Sequence, residues 1–347
     1  MKKSVLISIL VISAVITGGI LSFIFISYGT QGAIHSSSNY AYTSSSPNSE
    51  DILISADMCD VIINYNNSPM DYNMEAYFTA KIEGLFVKGR TFEDFFQYPQ
   101  TQNMTNTKTI LLATQEDLFK NPLNFFSNKE IKLLIVLRTD VVYDIKIDVA
   151  VGDITINIPE GVSVGNLDLE TDVGDISIYL QENNNIGQLT LHSNVGESLV
   201  YGQNTYFMED ISISTTTGKL TLSLYNSDIA GNIGTATTTG ASIISLVNLS
   251  YMSDCALNVD ATTGSIQLTI DQRVNMGSNV SGSVSLITGN IELEYYDDRD
   301  DTSINCRSST VTGSADQYTS PEHPALYYYD LQLQTTTGSI DITTFEN

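Results

Sequence analysis

The chain has 347 residues, and its 15 basic against 40 acidic residues give a net charge of −25 with only 16% charged residues. Such a surface repels phosphate backbones and anionic lipid head groups, which argues against nucleic acid as a partner. The cysteines are an odd number without CxxC spacing, so neither a disulfide framework nor a zinc site is indicated. We expect Cys59, Cys255 and Cys306 to be small buried thiols.

The N-terminus has the features of a membrane segment. Two lysines precede an uncharged apolar run from about Val5 to Ile26. This run is long enough to span a bilayer as a helix, so residues 1–28 are predicted to be a signal-anchor transmembrane helix. The lysines place its start in the cytoplasm and the remainder outside the cell. Cleavage near Gly32 or Ala33, which would release a secreted protein, is the alternative.

The segment between this helix and the first apolar strands is rich in serine. Residues 29–50 hold two serine triplets and little aliphatic content, which predicts a flexible linker. Residues 51–142 contain strand-like runs without a regular period, and we expect an irregular β region that caps the rest of the fold. Its stretch from Thr91 to Asn128 carries six phenylalanines, interpreted as part of this cap or, alternatively, as a ligand site. They are Phe92, Phe95, Phe96, Phe119, Phe125 and Phe126.

Residues 143–347 are organised by nine glycines, each preceded by Val or Thr and 22 to 25 residues apart. Apolar residues spaced by two flank each glycine, which indicates two short half-buried strands and two turns per repeat. A second corner is marked by Gly165, Gly187 and Gly231. We predict an all-β fold, a β-solenoid of about nine two-strand repeats. An antiparallel sandwich is the alternative. The nine glycines are Gly152, Gly174, Gly196, Gly218, Gly240, Gly264, Gly289, Gly313 and Gly338.

The glycine flanks also carry a resemblance. The series VGDITI, VGDISI, TGKLTL, TGSIQL, TGNIEL and TGSIDI resembles the putative-adhesin family of extracytoplasmic β-strand-repeat domains, a domain of unknown function, over residues 52–345. The resemblance implies an extracytoplasmic, non-catalytic β-solenoid, commonly on a membrane anchor, with a role in adhesion. The long aromatic insertion and a disrupted eighth repeat depart from the family pattern.

Tyrosines and carboxylates concentrate around the disrupted repeat. Tyrosine offers a rigid amphipathic face at low entropic cost, so these residues are the candidate binding site for a glycan or a protein, with a plain surface insertion as the alternative. They are Tyr295, Tyr296, Asp297, Asp298, Asp300, Asp301, Tyr327, Tyr328 and Tyr329.

Three acidic residues follow successive glycines, namely Asp153, Asp175 and Glu197. Stacked coils would place them in a row about 5 Å apart, either solvated or holding a divalent cation. The row ends at Lys219 and no calcium-binding repeat motif is present, so we predict no metal and no cofactor. The histidines are scattered and no paired acid and base is visible, so we predict that the chain is not an enzyme.

These patterns favour a membrane-anchored, outward-facing β-solenoid that acts as a cell-surface adhesion or envelope-interaction module. The alternative is an envelope sensor that relays ligand binding through a membrane partner. The last repeat, Leu331 to Ile342, is followed by only five residues. Because nothing would cover its edge, we predict self-association or strand addition at the C-terminal edge.

Overall fold

The computed structural model describes residues 31–42, 49–66, 72–85, 87–104, 107–114, 127–297, 302–319 and 325–346. Within these ranges the regular structure is β-strand, apart from one 3-10 turn at Phe92–Asp94. The predicted transmembrane helix at residues 1–28 lies outside the described residues. Among the residues that are described, no helix is long and apolar enough to cross a membrane.

The strands fall into an N-terminal group and a repetitive group. The N-terminal strands are β1 (Gly32–Tyr42), β2 (Ser49–Ala56), β3 (Asp60–Asn66), β4 (Met74–Gly84), β5 (Gln100–Asn103), β6 (Thr107–Leu112) and β7 (Ser127–Arg138). The repetitive strands are β8 (Val142–Val151), β9 (Ile154–Ile158), β10 (Ser163–Val164), β11 (Leu167–Val173), β12 (Ile176–Leu180), β13 (Asn185–Ile186), β14 (Leu189–Val195), β15 (Ser198–Gln203), β16 (Tyr206–Phe207), β17 (Ile211–Tyr225), β18 (Asp228–Ile229), β19 (Ile233–Val247), β20 (Ser250–Tyr251), β21 (Cys255–Gln272), β22 (Val280–Asp297), β23 (Thr302–Thr312), β24 (Tyr318–Thr319), β25 (Tyr327–Thr337) and β26 (Ile340–Glu346).

Parallel stacking in register defines the repetitive group. On one side of the stack β8 pairs with β11, β11 with β14 and β14 with β17, and on a second side β9 pairs with β12 and β12 with β15. Equivalent apolar residues are direct partners, as in Leu167 with Leu189 and Leu189 with Ile211. Their side chains are buried. The β-solenoid prediction is therefore confirmed over the antiparallel sandwich, since only coil-on-coil stacking pairs equivalent positions.

Five successive coils have three sides instead of the predicted two. Five two-residue strands, β10, β13, β16, β18 and β20, pair in parallel as a separate third sheet. The corner before this sheet is formed by residues with left-handed backbone, a conformation that Gly and Asn tolerate best. They are Gly161 (φ 74°), Asn183 (φ 59°), Asn204 (φ 48°), Asn226 (φ 49°) and Asn248 (φ 54°). Two-residue strands are too short for an alternation pattern, which is why the sequence did not show this side.

The repeat glycines bend the chain between the first and second sides. Gly218, for example, has φ of +146° and lies inside the continuous strand β17. A Cβ at Gly240 would overlap the carbonyl oxygen of Gly218 on the coil below. The glycines are thus required both for their backbone conformation and because neighbouring coils touch backbone to backbone at this bend.

The Ser-rich segment 29–50 contains strand β1, which pairs antiparallel with β4 along its whole length, from Gly32 opposite Gly84 to Tyr42 opposite Met74. Ile34 and Tyr40 pack against the core and Tyr42 is buried. The flexible-linker interpretation is therefore wrong for residues 32–42. Ile34, Tyr40 and Tyr42 lie on the same face of the strand, so that face packs against the core in spite of the polar composition of the segment.

The cap region 51–142 continues the stack and then closes it. Strand β2 pairs in parallel with β8 and β6, and β3 pairs in parallel with β9 and β7, so these strands add layers before the first glycine. Beyond them β4 lies antiparallel to β7, and β5 lies antiparallel to β6. The rings of Phe92 and Phe96 stack at 5.5 Å, and Phe92 meets Phe78 edge-on at 5.6 Å.

These rings belong to the core. Phe92, Phe95 and Phe96 are buried in the same hydrophobic cluster as the coils, so they are not exposed for a ligand. Phe119, Phe125 and Phe126 lie outside the described residues.

The C-terminal coils do not stack in chain order. Strand β25 pairs with β22 on one side and with β23 on the other, so the last coil is inserted before the disrupted eighth repeat. The inward side chains explain the order. Those of β25 include Leu331 and Leu333, which are fully buried, whereas β23 has Cys306 and Ser308 at the paired positions. The more apolar coil occupies the internal slot, and the more polar coil forms the end of the stack.

The prediction that the final repeat has a bare edge is therefore wrong. Strand β25 is covered by β23, and β24 folds antiparallel onto β23. Beside β26, the Asp316 N–H donates to the Ile340 carbonyl at 3.0 Å, and the Ile342 N–H donates to Asp316 Oδ2 at 3.4 Å. Self-association itself stays a prediction, without the bare final repeat as its basis.

Candidate functional site

The predicted tyrosine and aspartate cluster divides into a buried and an exposed part. Asp298, Asp300 and Asp301 lie outside the described residues. Tyr295 and Tyr329 are fully buried with Tyr251, and we call these three rings the tyrosine triad. Tyr329 meets Tyr251 at 6.1 Å and Tyr295 at 6.2 Å between ring centroids, both edge-on.

The hydroxyls of the triad are satisfied inside the protein. Tyr295 donates to Asp297 Oδ2 at 2.8 Å, and Tyr329 donates to Gln272 Oε1 at 3.1 Å. Burial raises the pKa of Tyr251 and of Tyr329 far above the usual range of a phenol. Tyr295, Asp297 and Tyr329 are thus core residues, and the predicted ligand contact at these three positions is wrong in this geometry.

The exposed part of the cluster is scattered. Tyr296 stacks face to face on Phe345 with 4.5 Å between centroids, next to the end of the stack. Tyr327 is partly buried against the core. Tyr328 is exposed at the beginning of β25, and Tyr296 does not line the groove in which Tyr328 lies. The sequence therefore grouped residues that the fold separates.

Most of the residues that line the groove at Tyr328 have polar side chains. The volume of this groove is about 430 Å³. The side-chain Oδ1 of Asn279 accepts a hydrogen bond from the Tyr328 N–H at 3.0 Å, and the Asn279 N–H donates to Asp254 Oδ1 at 3.3 Å. The groove is lined by Asp254, Asn279, Val280, Ser281, Asn305, Tyr328 and Asp330. The side-chain oxygens of Asn279 and Asp254 thus accept hydrogen bonds from backbone N–H groups of the next coil and hold adjacent coils together.

The row of carboxylates beside the glycines has the same structural use. Asp153 Oδ1 accepts from the Asp175 N–H at 2.9 Å, and Asp175 Oδ1 accepts from the Glu197 N–H at 2.7 Å. Asp153 and Asp175 therefore each satisfy a backbone donor of the next coil. Among the described residues, no group of three His, Cys, Asp or Glu side chains is placed to hold a metal ion.

The cysteines are buried free thiols, as predicted. Burial raises the pKa of Cys255 and of Cys306 to about 12, and it raises the pKa of Cys59 further. A thiol with so high a pKa is almost entirely protonated at neutral pH, so these groups are poor nucleophiles.

The sequence interpretation missed an aromatic surface on the second side of the stack. Tyr179 and Tyr201 are in-register neighbours on β12 and β15, exposed to 41% and 38%. Tyr225, one coil further, lies 5.6 Å from Tyr201 between centroids. The first two tyrosines stand five positions after Gly174 and Gly196, so aligning the repeats at their glycines would have shown them as a pair.

We call the depression beside these rings the aromatic groove, with a volume of about 490 Å³. Glu160 Oε1 accepts from Asn183 Nδ2 at 3.4 Å, and Glu182 Oε1 accepts from Gln203 Nε2 at 3.3 Å. The groove is lined by Glu160, Tyr179, Leu180, Gln181, Glu182, Tyr201 and Gln203. This lining has two carboxylates and no basic side chain, so the groove is electronegative.

The solved structures that are similar to this chain include proteins described as putative adhesins. No protein-family model and no curated protein matches it. It is similar to a putative cell adhesion protein from Clostridium sporogenes ATCC 15579, at 10% identity and a TM-score of 0.24, covering 90% of this chain and 100% of that one.

Two further solved structures are similar. A putative adhesin from Bacteroides fragilis NCTC 9343 has 12% identity and a TM-score of 0.36, with 88% of this chain and 96% of that one covered. A putative lipid binding protein from Parabacteroides distasonis ATCC 8503 has 11% identity and a TM-score of 0.31, with the same two shares. TM-scores this low do not support an inference about function. The function has to be inferred from the surface of this chain.

Proposed function

We propose that this chain is a non-enzymatic binding scaffold of the adhesion type, held at the cell envelope by its apolar N-terminal segment. The observation that supports it is the in-register stacking of the coils. Each outward position becomes a row of side chains along a broad sheet, as with Tyr179 and Tyr201 or with Asp168 and Thr190. A surface that repeats along one direction suits a partner that repeats as well, such as a surface polymer.

The groups that could serve catalysis have structural tasks. Asp153 and Asp175 accept backbone hydrogen bonds from the next coil. His192 Nδ1 is 2.7 Å from Ser214 Oγ, and its Nε2 is 3.0 Å from Asn194 Oδ1, so the ring bridges neighbouring surface residues. The buried thiols are poor nucleophiles. These contacts support a binding role over an enzymatic one.

The anchor is the part of the proposal that rests on the sequence. The apolar run ends near Ile26, and β1 begins at Gly32. Few residues would then separate the membrane helix from the sheet, which places the N-terminal cap beside the bilayer. Because β23 lies at the opposite end of the stack, the repetitive coils would extend away from the membrane and their sides would be available to a partner.

The test is surface display followed by adhesion. The full-length chain is expressed in a bacterial host, exposure is checked with an amine-reactive label that does not cross membranes, and attachment of the cells to other cells and to isolated cell-wall material is counted. The control expresses only residues 1–30. We expect labelled protein and more attachment than in the control. Attachment equal to the control, with the protein exposed, would refute the adhesion role.

A further inference from the structure

We propose that the aromatic groove binds an uncharged, hydroxyl-rich polysaccharide, with the rings of Tyr179 and Tyr201 stacking on its sugar rings. This assignment rests on the proposed function and specifies the ligand class of an adhesion scaffold.

Aromatic rings are exposed locally on the outer face of this sheet. Tyr179 and Tyr201 are the tyrosines of β12 and β15, and the paired positions on the neighbouring coils are the small polar residues Asn157 and Ser223. The outer face therefore does not need large rings for its stability. Two adjacent half-exposed rings with a third at 5.6 Å form a platform on which the apolar C–H face of a sugar can stack.

The groove also has free hydrogen-bond acceptors. Glu160 and Glu182 each use only Oε1 in a hydrogen bond among the described residues, so their Oε2 atoms remain as acceptors. An acceptor-rich groove needs a ligand that donates, and sugar hydroxyls do so. A proline-rich peptide, the other common ligand of aromatic grooves, lacks N–H donors at its prolines.

The charge of the chain and the spacing of its coils further restrict the ligand. The net charge of −25 and the two glutamates disfavour an anionic polysaccharide. Successive coils lie about 4.8 Å apart, and one sugar unit of an extended polysaccharide has a similar length. Consecutive sugars can therefore meet equivalent positions on consecutive coils, which a compact ligand cannot do.

The test is calorimetric titration of the purified full-length chain in detergent with cellohexaose, laminarihexaose and mannohexaose. Hexagalacturonate and a proline-rich decapeptide serve as comparison ligands. We expect saturable binding of at least one neutral hexasaccharide. Tyr201→Ala should raise the dissociation constant about tenfold or more, because aromatic anchors dominate such interfaces. Tyr201→Phe keeps the ring and should change it less than about threefold. Tyr72→Ala, which replaces an exposed tyrosine outside both grooves, should leave it unchanged.

Each outcome decides the assignment. No binding of any neutral hexasaccharide, tighter binding of hexagalacturonate or of the peptide, or equal loss in Tyr72→Ala and Tyr201→Ala would overturn it. Urea midpoints of the variants exclude unfolding as the cause of a loss. The double variant Tyr179→Ala/Tyr201→Ala in the adhesion assay separates the two proposals. If displayed cells still attach, the groove is wrong and the adhesion role stands, whereas absence of attachment by the unmodified chain defeats the adhesion role itself.

Discussion

The glycine bend offers the sharpest test of the fold, because strand β19 contains two glycines in opposite situations. Gly240 has φ of +145°, and a Cβ there would lie well under 3.0 Å from the Gly218 carbonyl oxygen. Gly234 has an ordinary φ, and the nearest heavy atom to a Cβ there is 3.9 Å away. Substitution by Ala is therefore expected to be harmful at one position and tolerated at the other.

The magnitude follows from two effects. The backbone region of Gly240 costs about 1–3 kcal/mol for a residue with a Cβ. The overlap with Gly218 also forces two coils apart, and each weakened backbone hydrogen bond costs about 1 kcal/mol. We expect Gly240→Ala to lower the free energy of unfolding by at least about 3 kcal/mol. Gly234→Ala should leave it unchanged or raise it by up to about 1 kcal/mol, since Ala restricts the unfolded chain.

The assay is urea unfolding of the full-length variants, followed by far-ultraviolet circular dichroism because the chain has no tryptophan. With a urea dependence of about 3 kcal/mol per molar, Gly240→Ala should lower the midpoint by about 1 M. Midpoints for Gly240→Ala and Gly234→Ala that agree within about 0.2 M would refute the account of backbone contact at the bend.

Three further predictions concern other parts of the molecule. Ser283→Cys combined with Gln332→Cys should form a disulfide, because the two residues are direct partners on β22 and β25. Ser283→Cys combined with Arg307→Cys should not, because two strand spacings of about 4.8 Å separate the two residues. Detection of the second disulfide by mass spectrometry would contradict the inserted order of β25. Burial raises the pKa of Tyr251 and Tyr329, so near pH 10 the unfolded state loses their protons while the folded state keeps them. The free energy of unfolding should therefore fall above pH 10 by about 1.4 kcal/mol per pH unit for each tyrosine. Urea midpoints that stay constant to pH 11.5 would exclude this. Asp175→Ala removes the acceptor of a backbone N–H and should cost about 1 kcal/mol in the same unfolding assay, whereas Asp175→Asn keeps an acceptor oxygen and should cost less; equal losses would contradict the hydrogen-bonding role.

Much of the coil was predictable because its signals are local. The alternation of Leu167 and Leu169 before Gly174 indicates which side chains point inward. The constant distance of such pairs from each repeat glycine indicates that equivalent residues stack on one another. Strand β1 is not evident from composition, because Gly32–Tyr42 contains few aliphatic residues. Ile34, Tyr40 and Tyr42 nevertheless lie on one face of a strand and pack against the core.

The candidate site was predicted less well, since exposure depends on neighbours that are distant in sequence. Tyr295 and Tyr296 are adjacent in the chain, but one is enclosed with Tyr329 and the other stacks on Phe345 at the surface. Conversely, Tyr179 and Tyr201 are 22 residues apart and become neighbours only through stacking. Clustering along the sequence is therefore a poor guide to clustering on a solenoid surface.

The sequence by itself determined that this chain is a stack of glycine-bent β-coils with an aliphatic interior, because period, alternation and bend conformation are properties of each repeat. Only the tertiary structure decided which coil lies next to which. Strands β23 and β25 offer equivalent backbones to the same edge of β22. The strand with Leu331 and Leu333 pairs there because its larger apolar side chains are then covered by coils on both sides, whereas Cys306 and Ser308 are buried at the end of the stack. That competition involves the whole end of the stack and cannot be judged from one repeat.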